Sequence, residues 1–294
     1  MRASGQLQLA LAVAAGCASG AVAAGVLQGD GPGGASPADK SGYHLFNPTP
    51  REQMRELSTD RPDTTESPYT VDAGHFQVEL SFVDLSFDDT DSVETRAVSV
   101  APMLLKVGLT NDIDLALGLD PYTRVRTEDG AAEETVEGFG DTVLRLKANL
   151  WGNDGGDTAL ALMPFVKFPT ASDGLGNDHV EGGLIIPFGM SLPNEFSMGL
   201  MAEFDLIRDA ADEGYVVDFV HTATIGRPLV GELSGYVEYA GFYNLNADED
   251  YRGYFDAGLT YAVTDDLQLD TGIRVGLTEA AEDFGVFAGI AWRY

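Results

Sequence analysis

The chain has 294 residues, with 47 acidic and 17 basic side chains and a formal net charge of −30 at pH 7. A surface this acidic repels phosphate backbones, which excludes nucleic acid as a partner. The 35 glycines suit tight turns and close backbone approach more than long helices.

Residues 1–23 have the pattern of a secretory signal peptide. Arg2 supplies an early positive charge, residues 7–15 form an apolar stretch, and residues 21–23 read Ala-Val-Ala, a small-residue cleavage site. The apolar stretch is too short to span a bilayer as a helix. The alternative is lipoprotein processing, in which Cys17 becomes the lipidated first residue. Signal-peptide cleavage is favoured, and it leaves an exported chain without cysteine or disulfide chemistry.

Residues 24–70 are expected to form a flexible N-terminal segment that contains one short helix. Residues 25–44 are rich in Gly, Pro and Ser, as flexible linkers are. Thr49 and Glu52 have the spacing of a capping box, with a proline at the first helical position. This pattern predicts a helix over residues 50–57.

Beyond this segment, apolar and polar side chains alternate in stretches closed by turn residues. In the first stretch Phe76, Val78 and Leu80 alternate with Gln77 and Glu79. Such stretches of about 10 to 14 residues are long enough for tilted strands that cross a bilayer. Twelve strands are predicted, at residues 75–86, 95–109, 113–126, 139–151, 158–170, 180–191, 196–207, 215–227, 232–244, 252–263, 267–277 and 284–294.

The connections between these strands alternate between short and long. The short ones are at 110–112, 153–156, 193–195, 228–231 and 264–266, and the long ones at 87–94, 127–137, 171–178, 208–214, 246–250 and 279–283. Outer-membrane barrels have short periplasmic turns and longer external loops, and strands can span lipid only as a closed barrel. The sequence therefore predicts an all-β fold: a closed antiparallel transmembrane β-barrel of about 12 strands over residues 71–294, with both termini on the periplasmic side.

Four prolines lie inside predicted strands, namely Pro102, Pro121, Pro164 and Pro187. A closed barrel has no free edge for a residue that lacks a backbone N–H. We therefore expect these prolines at bulges or at the water-facing ends of strands.

The polar rows of the predicted strands are expected to line the barrel lumen, while the apolar rows face lipid. The charged members of the polar rows are Glu79, Asp114, Asp120, Arg124, Arg126, Arg145, Lys147, Lys167, Glu203, Asp205, Asp218, Glu238, Asp256, Asp270 and Arg274. A lumen of twelve strands is too wide to be filled by wall side chains alone, yet a modest segment of chain can block it.

Residues 58–68, STDRPDTTESP, have neither a helical nor a strand period, and their two prolines favour an extended chain. We expect Asp60, Arg61, Asp63 and Glu66 to enter the lumen, because a buried charge is tolerated where an opposite charge matches it. Arg61 would then face carboxylates, and the three acidic residues would face Arg124, Arg145 or Lys147. The alternative is a solvated linker with local ion pairs.

The same stretch carries a resemblance to a known family. Residues 60–63 (DRPD), 65–68 (TESP), 140–149 (GDTVLRLKAN) and 164–170 (PFVKFPT) resemble the motifs of the outer-membrane transporter-like family labelled "putative meta-pathway of phenol degradation". The likeness covers residues 45–294. It implies a β-barrel with a transport role, and it brings no catalytic residues with it.

The expected function is that of an outer-membrane channel through which small molecules, including aromatic or hydrophobic ones, pass without energy input. Its expected partners are outer-membrane lipid, the solute, and the barrel-assembly machinery, which would read the C-terminal strand that ends at Tyr294. No cofactor is expected. The alternative is a structural barrel that its own N-terminal segment closes.

An outer-membrane lipolytic enzyme is a third candidate. Twelve-strand outer-membrane phospholipases need a His, a Ser and a polar orienting group together at the barrel wall. The histidines at 44, 75, 179 and 221 are dispersed, and Thr-Ala-Thr follows His221 in place of the Ser-Asn-Gly run of those enzymes. Acidic runs such as Asp88-Asp89 lack the ordered spacing of a calcium loop. Neither an enzyme nor a metal site is therefore expected.

Overall fold

A computed structural model describes residues 39–90, 92–130, 132–209, 214–245 and 250–294. The expected signal peptide, Cys17 and most of the Gly-rich terminus lie outside these residues.

The described residues form fifteen β-strands and one 3-10 turn. The strands are β1 (Phe76–Thr90), β2 (Val93–Val100), β3 (Met103–Gly108), β4 (Ile113–Leu119), β5 (Tyr122–Asp129), β6 (Ala132–Gly138), β7 (Thr142–Trp151), β8 (Thr158–Phe168), β9 (Glu181–Leu192), β10 (Phe196–Arg208), β11 (Tyr215–Val230), β12 (Leu233–Asn244), β13 (Arg252–Thr264), β14 (Leu267–Gly276) and β15 (Phe284–Arg293). Within these ranges, no helix is long and apolar enough to cross a membrane.

The strands close into one antiparallel barrel, because β15 pairs with β1 as well as with β14. In the closing pair Val78 lies opposite Trp292. Three pairs of consecutive segments, β2 with β3, β4 with β5 and β6 with β7, each make one interrupted barrel strand, so the fifteen segments form twelve strands. The predicted twelve-stranded closed barrel is confirmed. The barrel chain begins at His75 and finishes at Tyr294, and both residues lie at the same end of the barrel. We call this the lower end and the other the upper end.

Two of the four prolines lie at interruptions that reverse the pleat. Ala101, with a φ of 57°, and Pro102 separate β2 from β3. Ser99 and Lys106 both face inward although they are an odd number of positions apart, so the faces exchange between them. Asp120 and Pro121 separate β4 from β5 in the same way.

The expectation for the other two prolines was wrong. Pro164 lies within the continuous strand β8, opposite Leu184, and Pro187 lies within β9, opposite Met201. Neither position has a register shift in its ladder. The strands themselves agree with the predicted ranges, so the sheet accepts these two missing N–H groups without a bulge.

Two of the predicted long loops are instead strands. Residues 87–90 and 93–94 belong to β1 and β2, and residues 127–129 and 132–137 belong to β5 and β6. The upper part of β1 therefore continues into a sheet of β2, β5 and β6, which we call the extension sheet. On its inner face, Leu175 packs against Ala97 and Val125.

The predicted helix over residues 50–57 is also wrong, since only a 3-10 turn, Arg51–Gln53, forms there without a side-chain cap. The chain is tied to the barrel on both sides of this turn. The Thr49 N–H donates to the Ala73 carbonyl oxygen at 2.9 Å, and the Arg55 N–H donates to Asp72 Oδ2 at 3.0 Å. These bonds favour an extended path over a longer helix.

The barrel has its apolar side chains outside and its polar ones inside. Outward residues such as Leu144, Leu269 and Ile273 are exposed, while Gln77 and Lys147 on the inner face are buried. Soluble proteins have the opposite arrangement, with apolar side chains inside. The arrangement here suits a barrel with apolar surroundings and a polar interior.

Candidate functional site: the inner segment of the barrel

Residues 59–73, which we call the inner segment, run through the barrel interior. Its polar residues are at most 5% exposed where they meet the wall: Thr59, Asp60, Arg61, Asp63, Thr65, Glu66, Ser67, Thr70 and Asp72. The segment bonds to strands all around the barrel, among them β1, β3, β7, β12 and β14. Its buried charges are therefore surrounded by wall side chains.

Asp60 is held between two lysines of the wall. Its carboxylate accepts hydrogen bonds from Lys106 Nζ of β3 and Lys147 Nζ of β7. Glu79 of β1 joins the cluster, because Glu79 Oε1 lies 3.0 Å from Lys106 Nζ and Glu79 Oε2 accepts the Asp60 backbone N–H at 2.8 Å. Burial alone would raise the pKa of Asp60, but the two ammonium groups hold this pKa below its usual value. Asp60 is thus an ionised centre of the cluster.

Arg61 bonds to a neighbouring part of the wall, on β14 and β1. Its guanidinium bonds to Asp270 of β14 at two points, and its Nη1 donates to the Ser81 hydroxyl of β1. Planar guanidinium and carboxylate groups match in this geometry. Neighbouring residues of the segment therefore bind opposite charges on different strands.

The Glu238 side chain of β12 binds backbone N–H groups in the middle of the segment. The N–H groups of Thr64 and Thr65 donate to its two carboxylate oxygens at 2.6 and 2.8 Å. Asp63 lies beside them and is 2% exposed, and its Oδ1 accepts no hydrogen bond in the described part of the chain. Burial, followed by the nearby Glu238 carboxylate, raises the pKa of Asp63 well above its usual value.

Glu66 pairs with Arg145, the other basic residue of β7. Arg145 Nη1 lies 2.7 Å from Glu66 Oε1, and both side chains are buried. Four positions further along the same strand, the Asn149 amide donates to the Pro68 carbonyl oxygen at 2.9 Å. A row of inward β7 side chains thus follows the segment along its length.

The lower mouth of the barrel is closed around Asp72. Asp72 Oδ1 lies 3.5 Å from Arg55 Nη2, and Asp72 Oδ2 lies 3.6 Å from Arg293 Nη1 of the last strand. The Val71 N–H donates to Asp114 Oδ2 at 2.9 Å, and the Thr70 N–H donates to Asn153 Oδ1 at 3.2 Å. These contacts fasten the end of the inner segment to both the first and the last parts of the barrel chain.

One small cavity lies beside the segment. A cavity of about 10 Å³ has walls formed by Arg61, Pro62, Asp63, Thr64, Ser81, Asp84, Arg274 and Phe287. A space of this size holds about one water molecule. This cavity is too small for an organic solute.

The remaining inward candidates line the upper half of the barrel. Lys167 Nζ lies 3.3 Å from Asp141 Oδ2 and also pairs with Glu181. Glu203 and Asp205 lie on the same face of β10. Arg274 Nε lies 3.8 Å from Asp256 Oδ1. The upper interior is therefore rich in carboxylates, in keeping with the acidic composition.

Arg124 and Arg126 are not in the lumen, contrary to the expectation from the sequence. They lie on the outer face of the extension sheet, while Val125 between them is fully buried on the inner face. The reversal of the pleat at Asp120 and Pro121 is the cause, because it exchanges the two faces of the strand.

Sequence reasoning missed Lys106, Asp72 and Arg293 as partners of the segment. Lys106 was hidden by the reversal at Pro102, which moves the even-numbered positions of β3 to the inner face. A proline in the middle of a predicted strand was the available signal, since bulges collect such residues. For Asp72 and Arg293 no local pattern distinguishes them from ordinary charged residues near chain ends.

No group of three or more His, Cys, Asp or Glu side chains within the described ranges could hold a metal ion. His221, the histidine considered for an enzyme, lies on β11 and its Nε2 is 3.1 Å from the Tyr251 hydroxyl.

The fold and the sequence are similar to known proteins. An outer membrane channel from Pseudomonas putida F1 has a TM-score of 0.58 at 15% identity, covering 80% of this chain and 99% of that one. The NanC porin has a TM-score of 0.47 at 8% identity, covering 74% and 98%, and the CymD monoaromatic hydrocarbon channel has 0.43 at 9%, covering 74% and 87%. The first similarity shows that the fold is that of a bacterial outer-membrane barrel.

Comparison with curated protein sequences gives no match. A family model described as "Putative MetA-pathway of phenol degradation" matches residues 59–294. This range begins at the inner segment and extends to the C-terminal end of the chain, so it includes both the wall and the charges that meet inside it. The resemblance found in the sequence is confirmed, and the chain belongs to this family.

Proposed function

We propose that the protein is an outer-membrane channel for passive passage of small molecules, and that the inner segment closes it. The observation that carries this proposal is the polar nature of the closed interior. The segment is held by ion pairs and hydrogen bonds, such as those of Asp60 with Lys106 and Lys147. Water can solvate every one of these groups once the segment moves, whereas an apolar core would not refill with water.

The solute is proposed to be a small molecule of aromatic or hydrophobic character. The family description refers to phenol degradation, which favours phenol as the first solute to test. The proposal also places the protein in the outer membrane after signal-peptide export, with the C-terminal strand as the part that the barrel-assembly machinery recognises.

The second candidate is a structural barrel that stays closed. The close fit at Gly108 favours it, because a Cβ at this position would overlap the Asp72 and Val71 carbonyl oxygens of the segment. A segment seated this tightly on the wall could be a permanent part of the fold.

Conductance in planar bilayers distinguishes the two candidates. The conductance of the mature chain is compared with that of a version without residues 25–70. Uptake of phenol and of glucose into liposomes is measured for both forms. The channel proposal expects brief openings of the mature chain and a larger, steady conductance of the shortened one. If neither form conducts, the channel proposal is rejected. If only the shortened form conducts, the structural barrel is favoured.

A further inference from the structure

A short turn of residues 44–47 at the lower end of the barrel has two apolar side chains at its tip. The His44 N–H donates to the Asn47 carbonyl oxygen at 3.0 Å, and the Asn47 N–H donates to the His44 carbonyl oxygen at 2.8 Å. Leu45 and Phe46 are therefore the two tip residues, where Asn, Asp and Gly are the usual choices. We call residues 44–47 the apolar turn.

The tip of the apolar turn is exposed and uncharged. The Phe46 side chain is 87% exposed, against 71% for the terminal Tyr294. Residues 41–50, SGYHLFNPTP, contain no Asp, Glu, Lys or Arg, although these types make up 22% of the chain. Lys40, which precedes this stretch, is directed to Asp154 at 2.7 Å and is itself 9% exposed. No charge of this stretch would therefore have to leave water if the tip entered lipid.

Backbone hydrogen bonds join the apolar turn to the barrel wall. The Leu45 N–H donates to the Leu109 carbonyl oxygen at 2.9 Å, and the Phe46 N–H donates to His44 Nδ1 at 3.2 Å. His44 also forms an antiparallel bridge with Thr110, so Leu45 lies opposite Leu109, on the same face of the sheet. Leu109 directly follows β3 and continues its outward apolar row. The turn is thus held beside the outer face of the wall.

Aromatic side chains border this part of the outer face. Phe76 of β1 lies opposite Val107 of β3, two positions from Leu109. Phe76 and Tyr294 exchange backbone hydrogen bonds at 3.2 and 2.8 Å, and the Tyr294 and Trp292 rings are 6.0 Å apart. All three aromatic side chains are exposed, as in the belts that barrels place at a membrane surface. The apolar turn continues this surface beyond the end of β3.

We propose that Leu45 and Phe46 insert into the lipid leaflet at the lower end of the barrel. Transfer of an exposed aromatic ring from water to lipid is favourable, and the outer face beside the turn is already apolar. Three residues after Phe46, the Thr49 N–H donates to the Ala73 carbonyl oxygen. Lipid contact would therefore also fix the start of the chain that leads to the inner segment. This inference rests on the proposed outer-membrane location.

The test places one environment-sensitive fluorophore on a cysteine of the folded mature chain in phosphatidylcholine vesicles. Cys17 is the only cysteine of the sequence and lies in the expected signal peptide, so each variant carries one label. Phe46→Cys reports on the apolar turn. Glu232→Cys, at an exposed turn of the same end, is the control for water, and Leu269→Cys, on the outer face of the wall, is the reference for lipid. Labels are attached after folding, and heat-modifiable gel mobility checks that each variant is folded.

We expect a nitroxide on the lipid acyl chains to quench the label at position 46 several-fold more than the label at position 232, as it does at position 269. Iodide in the water should show the opposite order. Positions 46 and 232 lie at the same end, so the orientation of the barrel in the vesicle affects both labels equally.

Iodide quenching at position 46 equal to that at position 232 overturns the inference, because the turn then lies in water and is free for a soluble partner. Channel failure is seen separately, since insertion is measured without opening. A folded barrel that never conducts can still show the lipid contact, while a conducting barrel with a water-exposed label at position 46 rejects only this contact.

Discussion

Arg61 and Asp270 form a two-point ion pair inside the barrel, with Arg61 Nη2 2.8 Å from Asp270 Oδ1 and Arg61 Nε 3.3 Å from Oδ2. The two residues are 209 positions apart in the chain, and both are buried. Removal of one partner from such a pair leaves a buried charge without compensation. The contact therefore reports directly on whether the inner segment is docked.

Arg61→Gln is expected to weaken docking by about 3–5 kcal/mol, because it leaves the Asp270 carboxylate buried and unpaired. The predicted result is a higher open probability in planar bilayers. Adding Asp270→Asn should restore much of the closed state, because the double variant buries neither charge, and the double-mutant cycle gives the coupling energy. The exposed pair of Arg51 with Asp266 provides the control, and Arg51→Gln should leave conductance unchanged. Equal conductance of Arg61→Gln and wild type would contradict the prediction.

Asp60→Asn should open the channel more than Lys147→Met does. Asp60 pairs with Lys106, which keeps Glu79, and with Lys147, whose ion pair among the described residues is with Asp60, so loss of Asp60 leaves Lys147 buried without a carboxylate partner and costs docking about 3–5 kcal/mol. Loss of Lys147 still leaves Asp60 paired with Lys106. Single-channel recording of the two variants gives the order of open probabilities, with Glu232→Gln at an exposed turn as the control. The reverse order would show that Asp60 is not the centre of the cluster.

Docking of the inner segment should weaken as pH rises, because of Asp63. Burial raises the pKa of this carboxyl well above 3.8 in the docked state, so the docked state binds a proton that the free segment releases. Its contribution is complete below pH 3.8 and is lost as pH rises to the docked pKa, with a slope of up to about 1.4 kcal/mol per pH unit.

Conductance of the wild-type channel should therefore increase between acidic and neutral pH. Asp63→Asn, which stays neutral, should flatten this dependence and keep the channel closed at neutral pH. Asp265→Asn, in a turn at the lower end, is the matched control and should keep the wild-type profile. Identical profiles for Asp63→Asn and wild type would show that another group controls docking.

Gly108→Ala should displace the inner segment at its lower end. A methyl group at Gly108 would overlap the backbone of Asp72, which cannot move aside as a flexible side chain can. We expect faster proteolytic cleavage of residues 59–73 in the folded barrel, measured by mass spectrometry. Gly42→Ala is the control, since a Cβ at Gly42 meets no atom within 4 Å. Equal cleavage rates would mean that the segment can shift there without leaving the wall.

The barrel could be predicted because its evidence is local. Alternation of side chains along each strand and turn residues between strands are visible in short windows of sequence. The predicted and observed ranges agree closely, as for residues 196–207 against Phe196–Arg208. The conformation of residues 50–57 could not be predicted from local sequence, because it depends on hydrogen bonds of the flanking chain with Asp72 and Ala73.

The sequence by itself determined the strand number, the closed antiparallel barrel and the polar character of its interior. It did so because a period of two and the need to pair every backbone group in lipid leave few other solutions. Tertiary structure decided which charges meet. Single-residue reversals of the pleat placed Arg124 and Arg126 outside and Lys106 inside. The oppositely charged partners of Asp60 and Arg61 are 46 to 209 positions away, and only closure of the barrel brings them together.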